Sequence, residues 1–154
     1  MPISSSSSAP VKARILLVDD NTLGLSARKS VLEELGHRVT AVTSPREAIT
    51  CLESHKFDLV ITDFRMPEMT GSELIGWIRE RTIECPTILI SGFVDTLGLT
   101  VANTGADIVI QKSAHEINHL LRAVKSLLKR RPNAARKPPG SDLPPKARTK
   151  KASS

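Results

Sequence analysis

The chain has 154 residues, 40% of them hydrophobic, which suits one domain of ordinary size with tails. Its formal charge of +6 is uneven. Nine Lys and Arg stand against one acid from Lys129 onward, and thirteen against fifteen before it, so the basic excess says little about the folded body.

No apolar run approaches the length needed to cross a bilayer, and no basic-then-apolar signal pattern opens the chain. Cys51 and Cys85 fit neither a disulfide framework nor a metal motif and read as reduced thiols. A cytoplasmic location without membrane contact is expected. Residues 1–12 form a Ser-rich leader expected to be disordered, and residues 13–129 form the expected folded domain. Residues 130–154 carry five prolines and no apolar periodicity, and are expected to be a disordered basic tail. The tail leaves nucleic acid open as a partner, but it has no aromatic residue for base stacking.

Within the body, strand-like and helix-like runs alternate. Residues 14–18 form a short apolar strand that stops at Asp19-Asp20. Residues 22–35 carry Leu25, Val31, Leu32 and Leu35 at helical spacing and end at Gly36. A strand over 38–42 precedes a helix over 45–54, with Ser44 as N-cap and Pro45 at its first position. Residues 58–62 hold the continuous apolar run Leu59-Val60-Ile61 of a strand covered on both faces, with Asp63 at its end. Pro67 and Gly71 keep the next stretch irregular before a helix over 71–81. Trp77 lies at helical spacing with Leu74 and Ile78, so it reads as core. A strand over 86–90 leads to Ser91. Residues 93–104 contain Gly98, Thr100, Val101, Asn103 and Thr104, modest or poor helix formers, so at most a short, frayed and mobile helix is expected. A strand over 107–110 leads to Lys112, and a helix over 114–129 closes the body.

This alternation predicts right-handed crossovers, a doubly wound parallel sheet with helices on both faces, and a weak fourth helix. In such a sheet all carboxyl ends share one edge, where ligands bind. Asp19, Asp20, Asp63, Ser91 and Lys112 should therefore converge. Three close carboxylates stay ionised together only with a counter-charge. A hard divalent cation with oxygen ligands, such as Mg²⁺, suits them. Lys112 supplies a point charge and Ser91 a hydroxyl for a phosphoryl group, and an Asp can be its nucleophilic acceptor. Read singly, Asp20 could be only a helix cap, Ser91 only a turn residue and Lys112 only a surface lysine. His37, His55, His115 and His119 read as surface histidines, although His115 and His119 stand four apart on one helix face.

The order Asp19-Asp20, then Asp63-Phe64-Arg65-Met66-Pro67, then Ser91-Gly92, then Gly105-Ala106-Asp107 leading to Lys112 resembles the receiver domain of bacterial response regulators, of the single-domain chemotaxis type. The resemblance covers residues 13–128. It implies a flavodoxin-like five-stranded sheet in the order 2-1-3-4-5 and phosphorylation of Asp63. It also implies Mg²⁺ held by Asp19, Asp20, Asp63 and the Arg65 carbonyl, with phosphate contacts from Ser91 and Lys112. The donor would be the phosphohistidine of a sensor histidine kinase or phosphotransfer protein. The implied activity is self-phosphorylation and slow dephosphorylation, not enzymatic turnover of a substrate. A stand-alone receiver that signals to an unknown downstream protein is expected. Two departures concern signal transmission. Val109 stands where receivers carry a switching Tyr or Phe, and Ser113 where they carry Pro. The alternative is a pseudo-receiver, a scaffold whose output is uncoupled from phosphorylation.

Overall fold

A computed structural model describes residues 12–130. Almost all of the expected leader and tail therefore lies outside the described residues. The elements are β1 (Arg14–Val18), α1 (Thr22–Glu34), β2 (Arg38–Val42), α2 (Pro45–Ser54), β3 (Leu59–Asp63), α3 (Gly71–Glu80), β4 (Thr87–Ser91), α4 (Val94–Leu97), α5 (Val101–Thr104), β5 (Ile108–Gln111) and α6 (Glu116–Arg130). All strand pairs are parallel, in the order β2-β1-β3-β4-β5. This is the expected doubly wound fold.

The last three strands begin and end one residue later than expected. Asp63 pairs with Ile90, and Ser91 with Gln111, so both functional candidates belong to the ladder instead of following it. Asp58 stays outside β3, where its carboxylate accepts a hydrogen bond from the Arg14 amide at 2.8 Å.

The period-2 alternation of the strands divides the core in two. Ile15 and Leu17 face one side, packed with Leu25 and Leu32 of α1 and Leu120, Val124 and Leu127 of α6. Leu16 and Val18 face the other, with Leu52 of α2 and Leu74 and Ile78 of α3. Each fully buried Leu or Ile contributes about 1.5–3 kcal/mol relative to exposure. Trp77 packs at the margin of the second cluster, and Arg81 stacks on it at 4.5 Å.

Side-chain caps fix the starts of α1, α2 and α3. Asn21 accepts from the amides of Leu23 and Gly24, and Ser44 from that of Glu47. Thr70 and Glu73 form a reciprocal capping box that opens α3. In place of one frayed fourth helix there are two single turns, α4 and α5, separated by Gly98 at φ +66°. Thr100 and Asn103 cap α5 reciprocally, and Gln111 ties the loop before α4 to β5. Side-chain amides thus supply the order that the poor helix formers lack.

His37 is a correction to the sequence reading. It is 8% exposed, not a surface histidine, and its Nδ1 accepts a hydrogen bond from the Ala13 amide at 3.1 Å. Burial pushes its pKa below the ordinary imidazole value. Gly71 also has a positional reason. A Cβ there would stand 2.2 Å from the Asp63 carbonyl oxygen and 2.7 Å from Leu89 Cδ1. Only glycine lets α3 start this close to the end of β3.

Two outcomes follow from this packing. Gly71→Ala should cost about 2–3 kcal/mol in urea unfolding, because backbone must move to admit the methyl group. The unfolded chain protonates His37 before the folded one does, so stability should fall as pH drops through about 6.5. It should level off below the lowered folded-state pKa. His37→Gln should remove most of that slope, measured by urea midpoints between about pH 7.5 and 5.

Candidate functional site

The carboxyl edge of the sheet carries a cleft of about 240 Å³ lined by Asp19, Asp20, Asn21, Asp63, Arg65, Ser91, Gly92, Phe93 and Lys112. All six residues singled out from sequence line it. A neighbouring groove of about 740 Å³ is larger, but it is lined mainly by apolar residues, among them Phe64, Met66, Pro67 and Leu97.

Local structure explains each position. Asp19 follows β1, and its amide donates to the Val42 carbonyl at 3.2 Å, so the strand's end stays in the sheet and the carboxylate is 1% exposed. Asp20 is the next residue and is exposed. Asp63 ends β3 and is buried. Carboxylate oxygens of the three lie within 4.8 Å of one another. Among the described residues no other group of three or more His, Cys, Asp or Glu side chains converges in this way. His115 and His119, with ring centroids 6.3 Å apart, acquire no third ligand.

Lys112 follows β5, and its amide donates to the Ser91 carbonyl at 2.9 Å. Its Nζ stands 2.7 Å from Asp63 Oδ1. The contact is a close ion pair to a buried carboxylate oxygen, and no other donor reaches Oδ1 among the described residues. Burial raises the Asp63 pKa, and the Lys112 charge opposes that rise. Ser91 is 2% exposed, and its Oγ accepts from the Phe93 amide at 2.9 Å. Its turn role and its place in the cleft coexist. The Arg65 guanidinium lies 4.3 Å from the Phe93 ring centroid, and the two residues form one wall.

A second cation was missed by the sequence reading. Arg28 of α1 is 4% exposed; its Nη1 donates to Asp19 Oδ2, and its Nε donates to Glu116 Oε2 of α6 at 2.6 Å. Asp19 Oδ1 accepts from the Asn21 amide at 2.9 Å, so both oxygens of Asp19 are engaged. Burial works against the Arg28 charge, but the bonds to Glu116 and Asp19 more than offset it and raise its pKa. The signal was present. Arg28 lies three residues after Leu25 and four before Leu32, on the stripe that α1 buries. A charge on a buried stripe requires a partner.

The residues suit a hard cation. Asp63 Oδ1 has no donor besides Lys112, Asp20 makes no ion pair or side-chain hydrogen bond among the described residues, and the donor set is all oxygen.

Known proteins with the same design are numerous. The chain is 32% identical over 120 residues to the virulence transcriptional regulatory protein PhoP of Salmonella choleraesuis, a match covering 76% of this chain and 52% of that protein. The chain thus spans about half the length of that relative. Among solved structures, the response regulator TrrA of Thermotoga maritima, in complex with Mg²⁺-BeF, is 31% identical with a TM-score of 0.66, covering 76% of this chain and 99% of that one. A CheY-like receiver domain protein of Methanospirillum hungatei is 28% identical with a TM-score of 0.72, covering 80% and 99%. The response regulator receiver domain model matches residues 15–125, and with the acidic cleft in place the chain belongs to that family of two-component signalling modules.

Proposed function

We propose that Asp63 accepts a phosphoryl group from a phosphohistidine of a sensor histidine kinase or phosphotransfer protein, and that the modified domain signals through protein contacts in the cytoplasm. The observation that carries this reading is the buried Asp63 carboxylate with Lys112 Nζ at 2.7 Å and two more carboxylates beside it.

In this reading an Asp63 oxygen attacks phosphorus as the P–N bond to imidazole breaks. The product is an acyl phosphate. Burial of Asp63 removes the water that would otherwise hydrate and blunt the nucleophile. Lys112 offsets charge on the transferring oxygens, and the Ser91 hydroxyl is available to donate to one of them. Asp19, Asp20, Asp63 and the Arg65 carbonyl would hold Mg²⁺, which when bound supplies further charge stabilisation for phosphoryl transfer. That TrrA was solved with Mg²⁺-BeF supports the assignment by analogy. The scaffold alternative has one observation in its favour. Val109 is half-buried against the cluster of Ile75, Leu89 and Ala106, and it lacks the ring that switches in other receivers.

Acetyl phosphate with Mg²⁺ should add one phosphoryl group, read by intact mass and labile to hydroxylamine. Asp63→Asn should abolish it; labelling at the normal rate in that variant would refute the acceptor assignment. The metal-free protein should also report on the cluster. A carboxyl with a raised folded-state pKa stabilises the fold below its unfolded value and loses that contribution as pH rises through the folded value. Ionised Asp63 is therefore a burden at neutral pH, and Asp63→Asn should raise the metal-free Tm by roughly 2–6 °C. Millimolar Mg²⁺ should raise the wild-type Tm by mass action, and Asp20→Ala should lose that response.

A further inference from the structure

We infer that Arg28 is a built-in counter-cation of the acidic cleft that competes with the divalent metal for Asp19, and that through Glu116 it couples the state of the cleft to the start of α6. The inference rests on the proposed metal role of the cleft. It assigns a regulatory part to two residues outside the acceptor constellation.

Arg28 is held from two sides. It bonds Asp19, nine residues earlier, and Glu116, 88 residues later. Their side chains are 1% and 15% exposed, and that of Arg28 is 5% exposed. A buried guanidinium is stable only while such partners satisfy it. Gly24, one turn earlier on α1, leaves room for the guanidinium. A Cβ there would lie 3.4 Å from Asp19 Oδ2 and 3.5 Å from Arg28 Nη1, and a longer side chain would enter that space.

Glu116 sits in the first turn of α6, where a negative charge also suits the helix dipole. The same start is fixed by Ser113, whose Oγ accepts from the His115 amide at 3.1 Å. Lys112 and Glu116 thus flank one short turn, one contacting Asp63 and the other reaching Asp19 through Arg28.

Consider the charges. Asp19 shared with a divalent cation would bind Arg28 less strongly, and the guanidinium would be repelled by that charge. Arg28 would then depend more on Glu116. Conversely, Glu116 takes up part of the Arg28 charge and frees Asp19 for a metal. Receivers ordinarily transmit through a moving aromatic ring. Position 109 is Val, stiff at χ1 and without a polar tip, and a charged bridge to α6 provides a route that does not pass through it.

The test is a double-mutant cycle on metal affinity, read by calorimetric titration of the full chain with MgCl₂ and no phosphodonor. Arg28→Met, close in volume, should tighten Mg²⁺ binding on the order of tenfold. Glu116→Gln should weaken it about threefold in the wild-type background and have no effect beside Arg28→Met. The second readout is hydrogen exchange. Adding Mg²⁺ and beryllofluoride should change protection across residues 116–121 in the wild type, and Glu116→Gln should abolish that change.

Unchanged affinity in both single variants, additive effects in the double variant, or a persisting α6 response in Glu116→Gln would each overturn the inference. If Arg28→Met fails to fold, the Glu116→Gln arms decide alone. Metal binding that needs Asp20 but ignores Arg28 and Glu116 leaves the proposed function standing and removes this inference. No Mg²⁺ binding in the wild type removes both.

Discussion

The arrangement depends on one electrostatic constraint, the burial of two carboxylates at a strand edge beside a third. Asp19 and Asp63 are nearly inaccessible, and Asp20 stands next to them in solvent. Taking an ion out of water costs several kcal/mol even after relaxation. The fold meets this cost with two cations, Arg28 on Asp19 and Lys112 on Asp63. Neither can be supplied from the strand that carries its partner. Arg28 comes from the helix that leaves β1, and Lys112 from the end of β5 at the sheet's edge. The right-handed parallel crossovers place both at the same end as the acids.

Most of this was legible because it rests on period and termination. Apolar runs that stop at an acid, Ser44-Pro45 before a helical stripe, and Gly36 after one are local signals, and the corresponding elements formed where expected. The one-residue offsets in β3, β4 and β5 arise because strand ends are set by cross-strand pairing, which a single run does not display. Arg28 and His37 were missed for a related reason. Each looks polar and surface-seeking by type, and each is buried because a distant group satisfies it, Glu116 in one case and the Ala13 amide in the other. Long-range polar partners leave little trace in composition.

The region after β4 shows the limit of propensity. Its residues are poor helix formers, yet two turns close there under capping by Thr100 and Asn103 and bracing by Gln111. Gln111 accepts from the Val94 amide at 3.0 Å and donates to the Gly92 carbonyl at 2.9 Å. That bracing belongs to β5, so the fourth crossover is ordered by the strand it leads to. The sheet-facing contacts of Leu89, Ile75 and Ala106 give it a small apolar floor.

The Arg28–Glu116 bond also bears on how the chain acquires its structure. It joins the first helix to the last across a sequence separation of 88 residues, and Lys112 reaches Asp63 from nearly as late in the chain. During synthesis from the N-terminus, β1, α1, β2, α2 and β3 emerge with all three acids and only Arg28 to balance them. A partial sheet ending at β4 therefore has Arg28 beside Asp19 but leaves Asp63 without Lys112. The ion pairs of the cleft thus also depend on completeness, because Asp63 gains its cation, and Arg28 its second carboxylate, only when the last β-α unit has docked.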